Sequence, residues 1–381
     1  MISKVFPILA ISLFSAMLGA GIIVPLLPLY AEKMGATGVW IGIIFASFYI
    51  SQIILTPMFG ALSDRKGRKA LLCIGLLSYA LISLGYLWAH QVYQLIIVRL
   101  LHGAAGGMVL PIAQAYIGDL SPEHQEGKWI GYLNAALFTG FGFGPIIGGI
   151  LTEAFGANVT FYAMGGLNFV AFILGVILLP ESHTKTATKA HRSTSIRQLL
   201  TKPVLQGLVS FQLAFAMGRG MFITFLAIFA TSVSYLNMGQ IGTLLGANII
   251  LMSFYQLFTG RLADRINKKW LAVTGGVINI LSLALIPLLG SFWPLLILLA
   301  IGAIGGALSI PATSAVAVEQ GRKYGMGTVL GALATGQGVG LAIGPVVGGL
   351  IADMINVSSV FYAAAGFGAI GLLVFALLIR L

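Results

Sequence analysis

Charged residues are scarce in this chain. Only 8% of its 381 residues are Asp, Glu, Lys or Arg, while 58% are hydrophobic and the mean hydropathy is +1.00. A soluble domain carries roughly 25% charged residues, so this chain has too few charges to cover a surface that faces water. The composition therefore excludes an ordinary soluble protein and predicts that lipid surrounds most of its exterior.

Several patterns that carry chemistry are also missing. The single cysteine, Cys73, excludes an intramolecular disulfide framework. No Gly-x-x-x-x-Gly-Lys-Ser/Thr loop occurs, which argues against an ATP-driven pump. The five histidines are scattered without metal-ligand spacing, so we predict neither a metal site nor a cofactor. A membrane-embedded enzyme acting on lipid is the alternative from another class, and it would need a nucleophile–base or metal cluster of the kind that is lacking.

Twelve apolar stretches are long enough to cross a bilayer, which needs about 20 apolar residues per helix. The predicted spans are Val5–Ala31, Gly38–Leu62, Ala70–Trp88, Val92–Gly118, Trp129–Leu151, Val159–Leu179, Val204–Ala230, Gly239–Leu262, Trp270–Leu288, Trp293–Val318, Gly327–Ile351 and Val360–Ile379. We predict an all-α polytopic membrane protein with one six-helix bundle over residues 1–180 and another over 204–381. The polar stretch between them, 181–203, is predicted to be a cytoplasmic linker, with a short amphipathic helix near Ile196–Leu200.

The basic residues set the expected orientation. With a cytoplasmic N-terminus, all 21 of them fall on the inner side except Lys33, Arg99 and Arg219. Because they lie in short loops rather than along one face, the net charge of +11 does not indicate nucleic-acid binding. We expect a monomer in the cytoplasmic (inner) membrane, in contact with its lipids, with both termini in the cytoplasm. No cleaved signal peptide is expected before the first span.

The two halves repeat each other at a constant offset of 200 residues, without gaps. The matching residues include Gly60, Asp64, Arg65 and Lys69 with Gly260, Asp264, Arg265 and Lys269, then Pro111 with Pro311, Asp119 with Glu319, and Glu153 with Asp353. Gly140, Gly144, Pro145, Gly148 and Gly149 likewise match Gly340, Gly344, Pro345, Gly348 and Gly349. Six spans per repeat is an even number, so both halves have the same orientation in the membrane. This arrangement suits alternating access around a shared site near the midplane.

Four motifs occur in order along the first half. They are Leu18-Gly19 through Pro25 and Pro28, the loop Gly60 to Lys69, Arg99 to Gly103, and Gly140-Phe-Gly-Phe-Gly144-Pro145-Ile-Ile-Gly148-Gly149. Together they resemble the major facilitator superfamily, specifically its twelve-helix drug:proton antiporters, over the whole chain. The resemblance implies that Asp64 latches the halves on the cytoplasmic side, that Arg99 takes part in proton coupling, and that Gly140–Gly149 bends the fifth helix against its neighbour in the other half.

The gating residues that we expect on this basis lie in the loop between the second and third spans, in the copy of this loop in the second half, and in the Gly-Pro segments. They are Gly60, Asp64, Arg65, Gly67, Arg68, Asp264, Arg265, Gly140, Gly144, Pro145, Gly148, Gly149, Gly344 and Pro345. Glycine permits close approach of two backbones in lipid, and proline within a span weakens one helical turn. A basic membrane anchor alone would explain the arginines of the loop but not Asp64 or its glycines.

Charges inside the membrane are costly and mark functional sites. The charges in the middle of predicted spans are Arg99 and Arg219, whereas all ten acids lie in loops or at span ends. If the first, fourth, seventh and tenth spans line a cavity, as the resemblance implies, the expected substrate-binding residues are Arg99, His102, Gln114, Gln212 and Arg219. Two guanidinium groups without a facing carboxylate favour a small anionic or zwitterionic molecule, for example a siderophore or an acidic antibiotic. This departs from cation-exporting relatives, which carry a carboxylate in the first or fourth span.

The expected driving force is the proton gradient. Without an acid inside a span, the candidate proton-coupling residues are Arg99, His102, Glu32 and Asp119, together with Glu319. Histidine has an unperturbed pKa of about 6.5, which permits protonation near neutral pH, but it could equally be a packed, hydrogen-bonded residue. Export is favoured because of the Gly-Pro motif. Proton-coupled uptake of an anion and flipping of an anionic lipid remain alternatives.

Overall fold

The computed structural model describes residues 2–122, 125–181 and 201–379. Within some helices, at residues 2–4, 126–127, 261 and 263–265, only the backbone is described. The proposed amphipathic helix near Ile196–Leu200 and most of the predicted linker lie outside the described residues. So do the side chains of Asp264 and Arg265.

The described part of the chain forms twelve long α-helices. They are α1 (Ile2–Lys33), α2 (Gly38–Lys66), α3 (Arg68–Trp88), α4 (Val92–Leu120), α5 (Glu126–Phe155), α6 (Ala157–Leu178), α7 (Pro203–Ser232), α8 (Met238–Arg265), α9 (Lys268–Leu285), α10 (Phe292–Tyr324), α11 (Met326–Met354) and α12 (Val357–Leu378). Each is long and apolar enough to cross a membrane. Helices satisfy every backbone polar group internally, as a segment in hydrocarbon requires. The predicted all-α polytopic class is confirmed.

Most of the helices extend beyond the predicted spans at one or both ends. The largest difference is at α10, which was predicted to end at Val318 but continues to Tyr324, so that Glu319, Arg322 and Lys323 are helical. Hydropathy marks only the apolar part of a helix, and the backbone ladder continues past it until a breaker is reached. Here the breaker is Gly325, whose φ of 104° ends the helix.

The internal repeat is visible in the helix packing. In the first half α1 packs on α5 and α6, and α3 packs on α4 and α6. In the second half α7 packs in the same way on α11 and α12, and α9 on α10 and α12. Each set has its own buried core, which includes Leu13, Leu76 and Tyr116 in the first half and Leu208, Val316 and Phe375 in the second.

The compact units do not coincide with the two halves of the sequence. Among the described residues, unit 1 contains 2–36, 47–122, 125–181 and 237–246, whereas unit 2 contains 37–46, 201–236 and 247–379. The first residues of α8 therefore belong with α5 in unit 1, and the first residues of α2 belong with α11 in unit 2. The two short segments are related by the same offset of 200 residues.

Candidate functional site

Arg99 and His102 lie in one buried cluster of unit 1. Only 6% of Arg99 and 2% of His102 is exposed. The Nδ1 atom of His102 is 3.0 Å from the hydroxyl of Tyr86 in α3, and the guanidinium carbon of Arg99 lies 4.5 Å from the centre of the Phe48 ring in α2. The sequence correctly placed Arg99 and His102 on one face of α4, where residues three apart are neighbours.

Aromatic rings hold this cluster in place. His102 meets the ring of Tyr79 edge-on at 4.8 Å and that of Phe48 at 5.4 Å. Tyr86 stacks on Phe161 with ring centres 5.3 Å apart, and the hydroxyl of Tyr30 donates to the carbonyl of Tyr86 at 3.2 Å. His102 is therefore a packed, hydrogen-bonded residue, as one of the two sequence readings held. Its role in proton coupling stays a prediction.

The other predicted substrate-binding residues are half-buried. In unit 1 the amide nitrogen of Gln114 is 3.4 Å from the side-chain oxygen of Asn134 in α5. In unit 2 the amide nitrogen of Gln212 is 3.3 Å from the side-chain oxygen of Gln337 in α11. Arg219 lies two turns beyond Gln212 on α7 and is also half-buried. Paired amides hold each other in place while keeping donors and acceptors for a polar molecule.

The turn between α2 and α3 is organised around Arg68. Its Nε donates to Asp119 of α4 at 3.0 Å, one of its terminal nitrogens donates to Ser63 at 2.6 Å, and it forms an ion pair with Asp64. The side chains of Arg68 and Asp119 are only 11% and 18% exposed. Asp64, expected as a latch residue, is exposed and paired within its own turn, and Arg65 is exposed. The pairing of Asp119 with Arg68 was not foreseen, since the sequence suggested a proton-coupling role for Asp119.

Glycine is needed at one position of this turn. Gly67 has a φ of 96°, a conformation that other residues rarely adopt, and a Cβ there would collide with the carboxylate of Glu181. That carboxylate accepts a hydrogen bond from the backbone N–H of Lys69 at 3.1 Å, at the beginning of α3. Gly60, by contrast, faces open space, so crowding does not require a glycine there.

The second half repeats the turn with different side chains. Lys268 and Glu319, which correspond to Arg68 and Asp119, form an ion pair at 2.9 Å, but their side chains are 28% and 42% exposed. Asn267 stands where the first half has Gly67, and its side chain caps α9 by accepting from the N–H groups of Lys269 and Trp270. Glu319 is thus also paired, and Glu32 is exposed at the end of α1.

The glycines of α5 mostly face α1, in their own half. A Cβ at Gly140 or Gly148 would collide with the backbone carbonyl of Phe14 or Ile22, and one at Gly144 would lie 2.6 Å from the Cα of Gly21. Gly149 meets the other half at Met238 and Gly242 of α8, and the carbonyl oxygen of Gly142 lies against Gly246 of the same helix. The expectation that this segment bends α5 against its neighbour in the other half stays a prediction, and α1 is a further partner of the segment that the sequence did not indicate. Helices without a hydrophobic driving force in lipid gain stability from such close backbone contact.

Gly344 of α11 is equally crowded. A Cβ there would overlap the carbonyl oxygen of Met217 in α7. Pro145 and Pro345 both lie inside uninterrupted helices, and their carbonyl oxygens would collide with a Cβ at Gly242 of α8 and Gly42 of α2, respectively. The offset of 200 residues is thus reproduced in the atomic contacts.

Near the ends of α11 and α5, a carboxylate accepts hydrogen bonds from the beginning of a neighbouring helix. In unit 2 Asp353, near the end of α11, accepts from the backbone N–H groups of Gly38 and Val39 at 2.6 and 2.9 Å. In unit 1 the corresponding Glu153, near the end of α5, accepts from the N–H of Gly239 at 2.8 Å. Each carboxylate satisfies unpaired donors at the beginning of a helix and complements the positive end of its dipole. We refer to these two contacts as the Asp353 clasp and the Glu153 clasp.

Asp353→Ala should loosen the beginning of α2. Loss of a capping acceptor costs about 1 kcal/mol, so amide exchange at Gly38 and Val39 should speed up roughly fivefold. Exchange at Gly239 serves as the internal control and should not change, whereas Glu153→Ala should show the reverse pattern. Equal protection of Gly38 in both variants would contradict the assigned hydrogen bonds.

The described residues form twelve apolar helices in two repeated sets, with a buried arginine and glycine-lined helix contacts, and so define a polytopic membrane protein with an internal repeat. The family model of the Major Facilitator Superfamily matches residues 9–239 and 208–381. The chain belongs to this superfamily, as its motifs indicated.

The relatives are transporters. The chain is 28% identical over 365 residues to an uncharacterized MFS-type transporter of Methanocaldococcus jannaschii, covering 94% of both chains. It is also 28% identical over 372 residues to the quinolone resistance protein NorA of Staphylococcus aureus, covering 96% of this chain and 94% of NorA. These comparisons agree with the prediction of a transporter rather than an enzyme.

Solved structures share the fold. A bacterial homolog of the human lysosomal transporter Spinster has a TM-score of 0.86 at 14% identity, over 99% of this chain and 96% of that one. The nucleoside transporter NupG has a TM-score of 0.81 at 16% identity, over 99% and 100%. The human organic anion transporter MFSD10 has a TM-score of 0.68 at 19% identity, over 98% and 99%.

Proposed function

We propose that this protein is a proton-coupled exporter of a small anionic or zwitterionic molecule and works by alternating access. The observation that carries the proposal is the distribution of charge. Among the described residues, Arg99 and Arg219 lie well inside membrane-spanning helices, while the acids lie near helix ends or outside the helices. An arginine in such a place attracts an anion, which it can hold with two parallel hydrogen bonds.

Export is favoured over uptake by the relationship to NorA, whose name states quinolone resistance. Alternating access is supported by the glycine contacts of α5 and α11 and by the two clasps. Such contacts join particular pairs of helices closely, so they can form in one conformation and separate in another. In the proposed orientation the Arg68 turn lies on the cytoplasmic side of the inner membrane and the clasps on the outer side. The organic anion transporter MFSD10 and the nucleoside transporter NupG share the fold of this chain. Uptake of an anion is the second candidate, because a shared fold does not set the direction of transport.

The Arg219→Ala variant tests the substrate class. A hydrogen bond to a charged group contributes about 1.5–3 kcal/mol, so efflux of an anionic probe should fall at least about tenfold. Arg219→Lys, which keeps the charge but loses the planar fork, should show an intermediate loss. Lys33→Ala, a change of an exposed charge at the end of α1, is the control.

Membrane vesicles with an imposed pH gradient provide the measurement. A quinolone, a simple organic anion of similar size and the cation ethidium are compared in both directions of transport. Unchanged anion efflux in Arg219→Ala would overturn the anionic substrate class. Transport that ignores the pH gradient would overturn the coupling, and accumulation rather than extrusion would favour uptake.

A further inference from the structure

Gln212 of α7 and Gln337 of α11 form a pair of amides inside unit 2. The side-chain nitrogen of Gln212 is 3.3 Å from the side-chain oxygen of Gln337, and both side chains are half-buried. All of residues 207–230 of α7 are buried or half-buried, whereas Leu373 and Leu377 of α12 are 60% and 67% exposed. This part of α7 therefore does not form a lipid-facing surface. Because a polar group in hydrocarbon is costly, the half-buried amides indicate a recess beside α7 that water can enter.

The internal repeat shows that the fold does not require these amides. At the offset of 200 residues, Ser12 of α1 and Leu137 of α5 occupy the positions of Gln212 and Gln337. Only 0% of Ser12 and 4% of Leu137 is exposed, although α1 packs on α5 as α7 packs on α11. The first half thus closes the same helix contact with a small and an apolar side chain. Polar side chains that a membrane fold does not need mark a functional site.

The pair uses only part of its hydrogen-bonding capacity. A carboxamide has two N–H donors and an oxygen with two lone pairs. The bond between the two side chains engages one N–H of Gln212 and the oxygen of Gln337, which leaves the oxygen of Gln212 and the N–H groups of Gln337 for another molecule. The same set remains if the two amides exchange roles. The pair therefore presents an acceptor and a donor side by side, and this matches a group that itself has both, such as a carboxamide.

Arg219 follows Gln212 by seven residues on α7. Seven residues are close to two helical turns, or about 10 Å along the axis, so both positions lie on the same face of the helix. Arg219 is also half-buried, and Gly19 occupies the equivalent position in the first half. This face of α7 in the second half therefore carries a cationic contact and a neutral contact at different heights.

We propose that Gln212 and Gln337 form a neutral subsite that binds a carboxamide-like group of the substrate, while Arg219 binds its acidic group. The substrate class is thereby narrowed to elongated acids that carry a hydrogen-bond donor and acceptor at the end away from the acid. This deepens the proposed function and rests on it, since it takes Arg219 as the contact for an anion. Binding involves hydrogen bonds and an ion pair, and no covalent bond changes.

Suberic acid monoamide and monomethyl suberate are matched probes for this subsite. Both are acids with a carbonyl oxygen at the far end, but only the monoamide has N–H donors there. In vesicles with the full chain and an imposed pH gradient, the monoamide should be transported about fivefold better. Equal transport of the two probes would overturn this inference alone. If neither probe is transported, the inference also fails, and the Arg219→Ala result decides separately whether the proposed function fails with it.

The double variant Gln212→Leu/Gln337→Leu tests whether the amide pair causes the preference. It replaces both amides by apolar side chains of similar size and should reduce the preference for the monoamide to about one. Thr335→Val is the control, since Thr335 is exposed on α11 and its hydroxyl donates to the carbonyl of Gly331 in its own helix. A merely structural role of the amides would lower the transport of both probes equally. A preference that persists in the double variant would therefore contradict the inference.

Access of water to position 337 gives a test that does not depend on transport. Cys73 is the single cysteine, so Cys73→Ser provides a background without thiols. In that background Gln337→Cys should react with a water-soluble thiol reagent, and suberic acid monoamide should slow the reaction. Thr335→Cys is the matched position, where the monoamide should have no effect. An unreactive Gln337→Cys, or equal slowing at both positions, would overturn the proposed subsite.

Discussion

Replacing Gly144 by valine is expected to abolish transport and to lower the stability of the protein markedly. A Cβ at this position would lie 2.6 Å from the Cα of Gly21 and 2.7 Å from the carbonyl oxygen of Leu18. Because the obstructing atoms belong to the backbone of α1, no side chain can rotate away, and the two helices must separate. Overpacking costs up to about 3 kcal/mol when side chains can adjust, and we expect at least that loss here.

Gly131→Val is the matched control for this prediction. Gly131 lies in the same helix, α5, but nothing lies within 4 Å of its added Cβ. The two variants have the same change in helix propensity, so the difference between them isolates the contact with α1. Thermal unfolding in detergent and efflux in vesicles should both separate the variants. If Gly131→Val were as damaging as Gly144→Val, helix propensity rather than close approach would be the cause.

The second large effect is expected at Arg68. Arg68→Met leaves the carboxylate of Asp119 without its partner in a setting where it is only 18% exposed, and breaking a buried pair from one side costs about 3–5 kcal/mol. Lys268→Met is the equivalent change in the second half, where Glu319 is 42% exposed, and it should cost about 1 kcal/mol or less.

The double variant Arg68→Met/Asp119→Leu distinguishes an unpaired charge from lost packing. It removes both charges and should recover most of the stability, because an apolar pair of similar volume often replaces a buried ion pair without loss. The measurement is the free energy of unfolding of the wild-type chain, Arg68→Met, Lys268→Met and the double variant. Equal losses of unfolding free energy in Arg68→Met and Lys268→Met would show that burial does not set the strength of these ion pairs.

Much of the fold could be predicted from the sequence, because lipid imposes strong rules. Hydropathy located all twelve helices, although α10 extends from Phe292 to Tyr324 rather than from Trp293 to Val318. The offset of 200 residues predicted that the two halves repeat each other, as their helix packing does. These features follow from periodic apolar segments and from duplication, and both can be recognised directly in the amino-acid sequence.

The surroundings of the candidate site were less predictable. The sequence placed Arg99 beside His102 but could not show that Tyr86 and Phe48, from two other helices, complete the cluster. Such contacts depend on how helices rotate against each other, which residue spacing does not determine. One signal was available: Tyr86 and His102 break the repeat, since Ile286 and Gly302 occupy the equivalent positions. Similarly, the α5 glycines indicated close approach but not that α1 is the partner.

The carboxylate of Glu181 has a consequence for dividing the chain into two fragments. In the first repeat, Glu181, which follows the sixth helix, accepts a hydrogen bond from the backbone at the beginning of α3. In the second repeat, Asn267 in the equivalent turn itself accepts the hydrogen bonds from the beginning of α9. An N-terminal fragment that stops at Pro180 would therefore lack a piece of its own architecture. A break placed after residue 181 keeps Glu181 in the N-terminal fragment. The C-terminal fragment contains Asn267, which caps the equivalent helix α9.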